Sequence, residues 1–325
     1  MASSQRQAVW ARVAMLEPVT RQNLLVRGWS SEASRGRTWS GWMAMIDVEG
    51  VSAIIRDVAA QEILPRYLAL GTGDVREKQD ANDLVTVADI EAERSLTRRL
   101  SNTYPGTMAF GEEGATTDPS LLRLLDADRP VWVIDPVDGT FNFAHGRPGF
   151  AVIVAYVRNG VTLAGWIHDP LRQLTITAVR GRGAWHGASR LTVAAAPSSL
   201  DAIGAAYGNL RAHGTLADIL NRSGRFATVS NLLSGAIEYI GLVEEQRHFL
   251  VADRSFPWDH AAGVLIVQEA GGTAGFLDGA DYDPRIVDRH VMVATSRQLW
   301  NDLQSAIGTD DGVSRSSASR PKLRT

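Results

Sequence analysis

The spacing of apolar residues divides the chain into a helical opening, a block of strands and a mixed remainder. Over 47–64, Val51, Ile54, Ile55, Val58 and Ile63 recur near the helical period. This predicts an amphipathic helix that Pro65 ends or kinks. The stretch 71–83, GTGDVREKQDAND, is polar and predicts a loop. A second helix is predicted over 89–101, with Asp89 in the N-cap position and Ile90, Glu93, Leu96 and Leu100 along it. Apolar runs at 107–110, 131–134, 150–157, 161–167 and 173–179, separated by Gly, Asp and Pro, predict strands. Arg158-Asn159-Gly160 lies between two of them and predicts a hairpin turn, and GRGAW at 181–185 closes the block.

Beyond residue 191 the pattern alternates. Helices are predicted at 212–222, 233–244 and 258–270, with short strands near 273–277 and 291–294. There is no internal repeat and no heptad array. The fold class is therefore α/β, with an antiparallel-rich first half, a smaller second half and a boundary near 190. Four segments are expected: an N-terminal extension over 1–44, a metal-binding α+β subdomain over 45–190, an α/β subdomain over 191–306 and a disordered tail over 307–325. The extension contains RGWSSEASRGRTWSGW, which lacks sustained periodicity and reads as mobile, although Trp29, Trp39 and Trp42 could anchor it.

Composition narrows the chemistry. The 325 residues are 45% hydrophobic and 21% charged, as in a folded soluble protein. A net charge of −3 provides no global field for nucleic acid or anionic lipid, and no apolar window is long enough to span a membrane. The chain has no cysteine, so any metal must be held by oxygen or histidine ligands, and a cytoplasmic location is the simplest expectation.

Four acidic sites follow or open predicted elements: Asp89, Glu112 with Glu113 in GEEG, Asp135 with Asp138 in IDPVDGT, and Asp259 in SFPWDHAAG. Taken singly, each has an ordinary reading as a cap, a turn or a solvated surface. Gathered together they would repel unless a cation compensates, and carboxylates without Cys suit Mg²⁺ or Mn²⁺. The uninterrupted run D-P-V-D-G-T-F-N after an apolar strand raises the odds of such gathering. Pro136 and the turn would aim Asp135, Asp138 and the Val137 carbonyl into one cavity, with the Gly139 and Thr140 N–H groups available to a phosphate. His145, His168, His186 and His260 form no His-x-x-x-His pair and read as hydrogen-bonding residues.

These segments resemble the inositol monophosphatase family, within the lithium-sensitive, magnesium-dependent phosphatases that include fructose-1,6-bisphosphatases. The matching stretches are DLVTVADIEAE at 83–93, GEEG at 111–114, WVIDPVDGTFNFAHGRPGFAV at 132–152 and WDHAAGVLIVQEAGG at 258–272. The resemblance implies alternating α-β-α-β-α layers, a homodimer and hydrolysis of a phosphomonoester by metal-activated water. It implies two or three Mg²⁺ ions. Glu112, Asp135 and the Val137 carbonyl would hold the first, and Asp135, Asp138 and Asp259 the second, with Glu112 reaching a third. Asp89 and Thr140 would orient the attacking water, making Glu112, Asp89 and Thr140 the catalytic set. Asp138, Gly139, Thr140, Ser234, Gly235 and Ala236 would bind phosphate or substrate. Lys78 matches a lysine at the rim of the metal site, and a solvated loop lysine is the ordinary alternative.

The likeness thins over LVEEQRHFLVADRSFPWD at 242–259, where Ala252 falls at the position of a substrate-binding acid and Gln246-Arg247 replaces small residues. Arg247, His248, Asp253 and Arg254 become candidates for a different leaving group. The substrate is thus expected to be inositol 1-phosphate or a related polyol phosphate. The alternatives are histidinol phosphate, a sugar bisphosphate, a 3′-phosphonucleotide, or a non-catalytic scaffolding or regulatory role.

Overall fold

Asp47 starts the first helix by accepting a hydrogen bond from the Gly50 N–H at 2.9 Å. Helix α1 (Val48–Val58) buries Val51, Ile55 and Val58 and runs into a π-helical turn over Ala59–Ile63, ahead of Pro65. The structure, a computed structural model, describes residues 46–71, 73–78, 84–194, 198–208 and 215–308. The expected extension over 1–44 lies outside the described residues, as does the tail from 309 on.

Part of the stretch expected as a loop is a strand. β1 (Val75–Glu77) pairs antiparallel with β2 (Leu84–Thr86), which leads directly into α2 (Val87–Thr103). β3 (Met108–Gly111), α3 (Glu112–Thr117), a 3₁₀ turn, β4 (Val131–Asp138), α4 (Thr140–Ala144), β5 (Ala151–Arg158), β6 (Val161–Asp169), β7 (Leu174–Val179), β8 (Ala184–His186) and β9 (Ser189–Leu191) follow. From β3 to β9 these strands form one seven-stranded sheet in sequence order, parallel at β3–β4 and antiparallel elsewhere.

The second sheet is built from β10 (Ile203–Tyr207), β11 (Thr228–Ser230), β12 (Phe249–Ala252), β13 (Thr273–Phe276) and β14 (Val291–Ala294). Its order is β11-β10-β12-β14-β13. The intervening helices are α5 (Leu216–Arg222), α6 (Gly235–Val243) and α7 (Pro257–Glu269), and α8 (Arg297–Gly308) ends the described chain. Helix α8 takes in residues 307 and 308, expected as the start of the tail. Among the described residues no helix is long and apolar enough to cross a membrane.

Strand alternation places the core in three layers. On β4, Trp132 and Ile134 face α1 and α2, whereas Val131 and Val133 face α6 and α7. On β12, Leu250 joins that same middle layer, while Phe249 and Val251 turn outward to α5 and α8. The result is the alternating α-β-α-β-α sandwich. Trp132 is fully buried, yet its indole N–H still donates to Thr107 Oγ1 at 3.0 Å.

The middle layer sets where α7 lies. A Cβ built on Gly165 of β6 would stand 2.8 Å from Ala262 Cα on α7, so strand and helix meet backbone to backbone. A side chain there must push the helix away. Gly165→Val is expected to cost about 1–3 kcal/mol, by the usual toll of overpacking. Urea denaturation checks it, and an unchanged midpoint would show that the contact is not tight.

Candidate active site

Residues three apart on a regular strand face opposite sides of a sheet. Asp135 and Asp138 escape this because β4 carries an extra residue between them: Asp135 pairs with Ile153, but Asp138 pairs with Ala151. Paired residues share a face, and Ile153 and Ala151 both face the middle layer. The bulge, which contains Pro136, therefore turns both carboxylates toward α7 and brings Asp259 to meet them. Gly139 ends the turn at φ 89°, and a Cβ there would lie 2.6 Å from the Gly149 carbonyl oxygen. Only glycine fits.

Glu112, Asp135 and Asp259 each offer an oxygen within 4.8 Å of the others. They line a cavity of ≈ 200 Å³ with Leu84, Val137, Asp138, Gly139, Thr140, Phe141 and Leu233. The triplet is not quite either expected metal set, since it joins Glu112 directly to Asp259. Asp138 stands beside it, with Oδ2 accepting from the Ser234 hydroxyl and the Ala236 N–H (2.8 Å) and Oδ1 from the Gly235 N–H (3.2 Å). Ser234, Gly235 and Ala236, expected to bind substrate, hold this carboxylate at the start of α6.

Asp89 is not the N-cap of its helix. Thr86 caps α2 and Asp89 occupies the third helical position, where it accepts from the Thr86 N–H at 2.8 Å and from the Thr86 hydroxyl. This capping box leaves Oδ1 to accept from Thr140 Oγ1 at 3.1 Å. The Thr140 hydroxyl has one proton and a second acceptor in reach, the Val137 carbonyl at 2.9 Å. One helical turn beyond Asp89, Glu93 accepts from the Glu113 and Gly114 N–H groups at 2.8 and 2.9 Å and so anchors the GEEG turn. The sequence places Glu93 on this helix without a role; the signal for one is its i, i+4 spacing from Asp89 on one helix face.

Lys78 is no solvated loop residue. Its side chain is 9% exposed, and Nζ lies 2.8 Å from Glu112 and 2.6 Å from Glu113. Burial opposes its charge, but the two glutamates outweigh burial and raise its pKa. The acids respond in the opposite sense. Burial, then the Glu112 charge, lifts Glu113 to about 8. Burial lifts Asp89 to about 6 against its Thr86 hydrogen bonds, and lifts Asp138 to about 6 against its Ser234 and Ala236 bonds. Asp135 and Asp259 are raised well above the carboxylate range by burial and then by Glu112. One lysine among so many acids leaves a strong deficit of positive charge. Oxygen donors at this density fit a small hard divalent ion.

The second-half candidates lie elsewhere. Arg247 Nε donates to Glu238 Oε2 at 2.9 Å, neutralising a glutamate with no exposure, so its role is structural rather than substrate contact. Glu238 in turn accepts from the Leu232 N–H at 3.1 Å. Asp253 sits against Gly208 and does not line the cavity. His248 Nδ1 accepts from the Ile203 N–H at 3.0 Å, and Arg254 lies over the Phe256 ring. His145, His168 and His260 have hydrogen-bonding partners, and the metal-competent group among the described residues contains no histidine. Asn142, the last residue of the D-P-V-D-G-T-F-N run, ties the turn to Gly149 and Leu232 through carbonyls at 2.8 Å each.

A layered α/β sandwich with carboxylates gathered at a bulged strand end defines a class of metal-dependent phosphatases. The model of the inositol monophosphatase family matches residues 48–308, and the chain belongs to that family, whose members are phosphoric monoester hydrolases. It is 30% identical over 208 residues to a Thermotoga maritima fructose-1,6-bisphosphatase/inositol-1-monophosphatase, covering 64% of this chain and 77% of the relative. It is 32% identical to a Caulobacter vibrioides inositol-1-monophosphatase over 72% of this chain and 92% of that one. It is also 35% identical to the Nus factor SuhB of Pseudomonas aeruginosa, covering 72% and 85%. The crystal structure of a Bartonella henselae suhB protein superposes with a TM-score of 0.70 at 25% identity, covering 82% of this chain and all of that one.

Two measurements test this electrostatic picture. Glu113, Asp89 and Asp138 have folded pKa values above their ordinary ones, so between them the folded form binds more protons than the unfolded form. Metal-free protein should therefore lose melting temperature as pH rises from about 4 to about 8. Mg²⁺ or Mn²⁺ at pH 8 should restore it; a flat or rising profile in chelator would contradict the convergence. Separately, Arg247→Leu should cost about 3–5 kcal/mol in denaturant unfolding by stranding Glu238, and adding Glu238→Gln should recover part of it.

Proposed function

We propose that the protein hydrolyses a small-molecule phosphomonoester with Mg²⁺ as its cofactor. The observation that carries this reading is the carboxylate triplet Glu112, Asp135 and Asp259, with the Asp89–Thr140 hydrogen bond on the same cavity wall. Glu112, Asp135, the Val137 carbonyl, Asp138 and Asp259 would hold the ions. When bound, they supply a lowered pKa for water and charge neutralisation at phosphate and leaving oxygens.

The chain's own groups divide the remaining work. Thr140 passes its proton to Asp89, which frees an Oγ1 lone pair to accept a proton from the attacking water. The Thr86 capping box holds Asp89 in place for this. Gly139 and Thr140 line the cavity where their N–H groups can meet phosphate oxygens. Lys78 balances Glu112 and Glu113 at the rim. The substrate proposed from the relatives is inositol 1-phosphate or a compound of similar size.

A second reading has one observation in its favour, the 35% identity to a protein named as a Nus factor. A binding role of that kind would not need the carboxylates to react.

Phosphate release from a panel of phosphomonoesters, with Mg²⁺ and with or without Li⁺, tests the proposal. Release should require Mg²⁺ and fall with Li⁺. Thr140→Val should lower kcat by roughly 10²- to 10⁴-fold. Asp135→Asn should abolish turnover while raising the melting temperature of metal-free protein, because it removes a buried acid that must take up a proton on folding. Silence across the panel, or full activity in Asp135→Asn, would overturn the assignment.

A further inference from the structure

Five described residues other than glycine have positive φ: Leu68, Asn159, Gln173, Leu233 and Glu245. Only Leu233 lines the cavity that holds the carboxylates. At φ 57° it occupies the left-handed region, which glycine enters freely and a leucine does not. Its side chain is 41% exposed, so core burial does not compensate for the strain. Strain held at a binding cavity points to a use there.

Neighbouring bonds impose the conformation. The Leu233 N–H donates to Asn231 Oδ1 at 2.7 Å. Leu232 is bound on both sides, its carbonyl by Asn142 and its N–H by Glu238. Ser234, the next residue, opens α6 with its hydroxyl on Asp138. Leu233 is thus fixed beside the metal-competent acids. Leu84 and Phe141 share the cavity lining with it, and the Phe141 ring is itself stacked on His145 with centroids 4.1 Å apart.

The polar lining consists of Glu112, Asp135, Asp138, Thr140 and Asp259, all of which the proposed chemistry already employs. Arg247 is paired with Glu238, and Asp253 does not line the cavity. No described lining residue remains as a dedicated partner for the hydroxyls of a polyol. Selection of a hydroxylated ring depends on such partners, whereas the described lining offers Leu84, Phe141 and Leu233.

We infer that the leaving alcohol presents an apolar face to Leu233, Leu84 and Phe141: the alcohol of a heteroaromatic or nucleoside-type ring, in preference to a polyol hydroxylated on every carbon. This rests on the phosphatase reading and narrows its substrate class. The inositol preference proposed from the relatives would then be a property of those relatives.

Steady-state kinetics decide it, using inositol 1-phosphate and glycerol 2-phosphate against histidinol phosphate and a 3′-phosphonucleoside, on the full chain with Mg²⁺. The unaltered protein should favour at least one ring ester over both polyol esters by tenfold or more in kcat/KM. Leu233→Gly should erase about tenfold of that preference through KM, with kcat retained on all substrates. Its melting temperature should hold or rise, since glycine accepts this φ. Leu233→Asn, which tolerates the same backbone and is polar, should behave likewise. A polyol preference in the unaltered protein, or an unchanged ratio in both variants, overturns the inference. So does a change in native mass by light scattering, which would make Leu233 a subunit contact. Absence of release from all four esters overturns the phosphatase reading and this inference with it.

Discussion

The site depends on one extra residue in a strand. Without the bulge between Asp135 and Asp138, alternation would send one carboxylate into the apolar layer against α1 and α2, where no counter-charge waits. With it, both face α7, which Gly165 and Ala262 hold at backbone contact with β6. Pro136 suits the bulge because it has no N–H to leave unpaired there. Asp259 then has nowhere to retreat. Its helix is fixed in the middle layer by Ala261, Ala262, Val264 and Leu265, all buried. The repulsion among the acids is thus maintained by packing, and this leaves a cavity whose carboxylates could hold a metal ion.

Much of this was legible in the chain because the relevant segments were strongly periodic or chemically dense. The amphipathic opening, the run of antiparallel strands and the α7 stretch declared themselves by spacing, and D-P-V-D-G-T-F-N by composition. Residues whose meaning depends on distant partners did not. β10 reads IGAAY, whose Gly-Ala-Ala centre carries none of the bulk that marks strands, yet it pairs through Gly204↔Phe249 with a strand some forty-five positions away. Glu93 reads from the sequence only as a residue of its helix, and the approach of GEEG makes it an anchor. Asp89 lies three positions further into the helix than its type suggests: an acid near a helix start reads as a cap, whereas Thr86 is the cap and Asp89 its reciprocal partner. Arg247 stands in the sequence as one of four candidates for contact with a different leaving group, and the buried Glu238 that claims it could not be seen from spacing.

These misplacements share a cause. The groups that react are recognisable by type, but the groups that hold them are ordinary residues with a second partner. Asp89 uses one oxygen for the α2 cap and the other for Thr140. Asn142 uses its amide to join the α4 turn to both Gly149 and Leu232. Glu238 accepts from the Leu232 N–H with one oxygen and from Arg247 with the other. Such bifunctional groups make local stability and site geometry the same interaction, so a helix cap or a buried ion pair cannot be removed without moving a reacting atom.

This coupling explains how a short strained segment can persist. Asn231 to Ser234 touches the α4 turn through Asn142, the second half of the core through Glu238 and Arg247, and the carboxylate cluster through Asp138. Each bond is modest alone, on the order of 1 kcal/mol net or somewhat more where charge assists. Together they exceed the roughly 1–2 kcal/mol that a left-handed leucine costs. The backbone is therefore over-determined, and the identity of residue 233 is free to be set by what the cavity binds rather than by what the turn prefers. A glycine would satisfy the turn. The leucine does not serve the turn, and its partly exposed side chain lies at the cavity that holds the carboxylates.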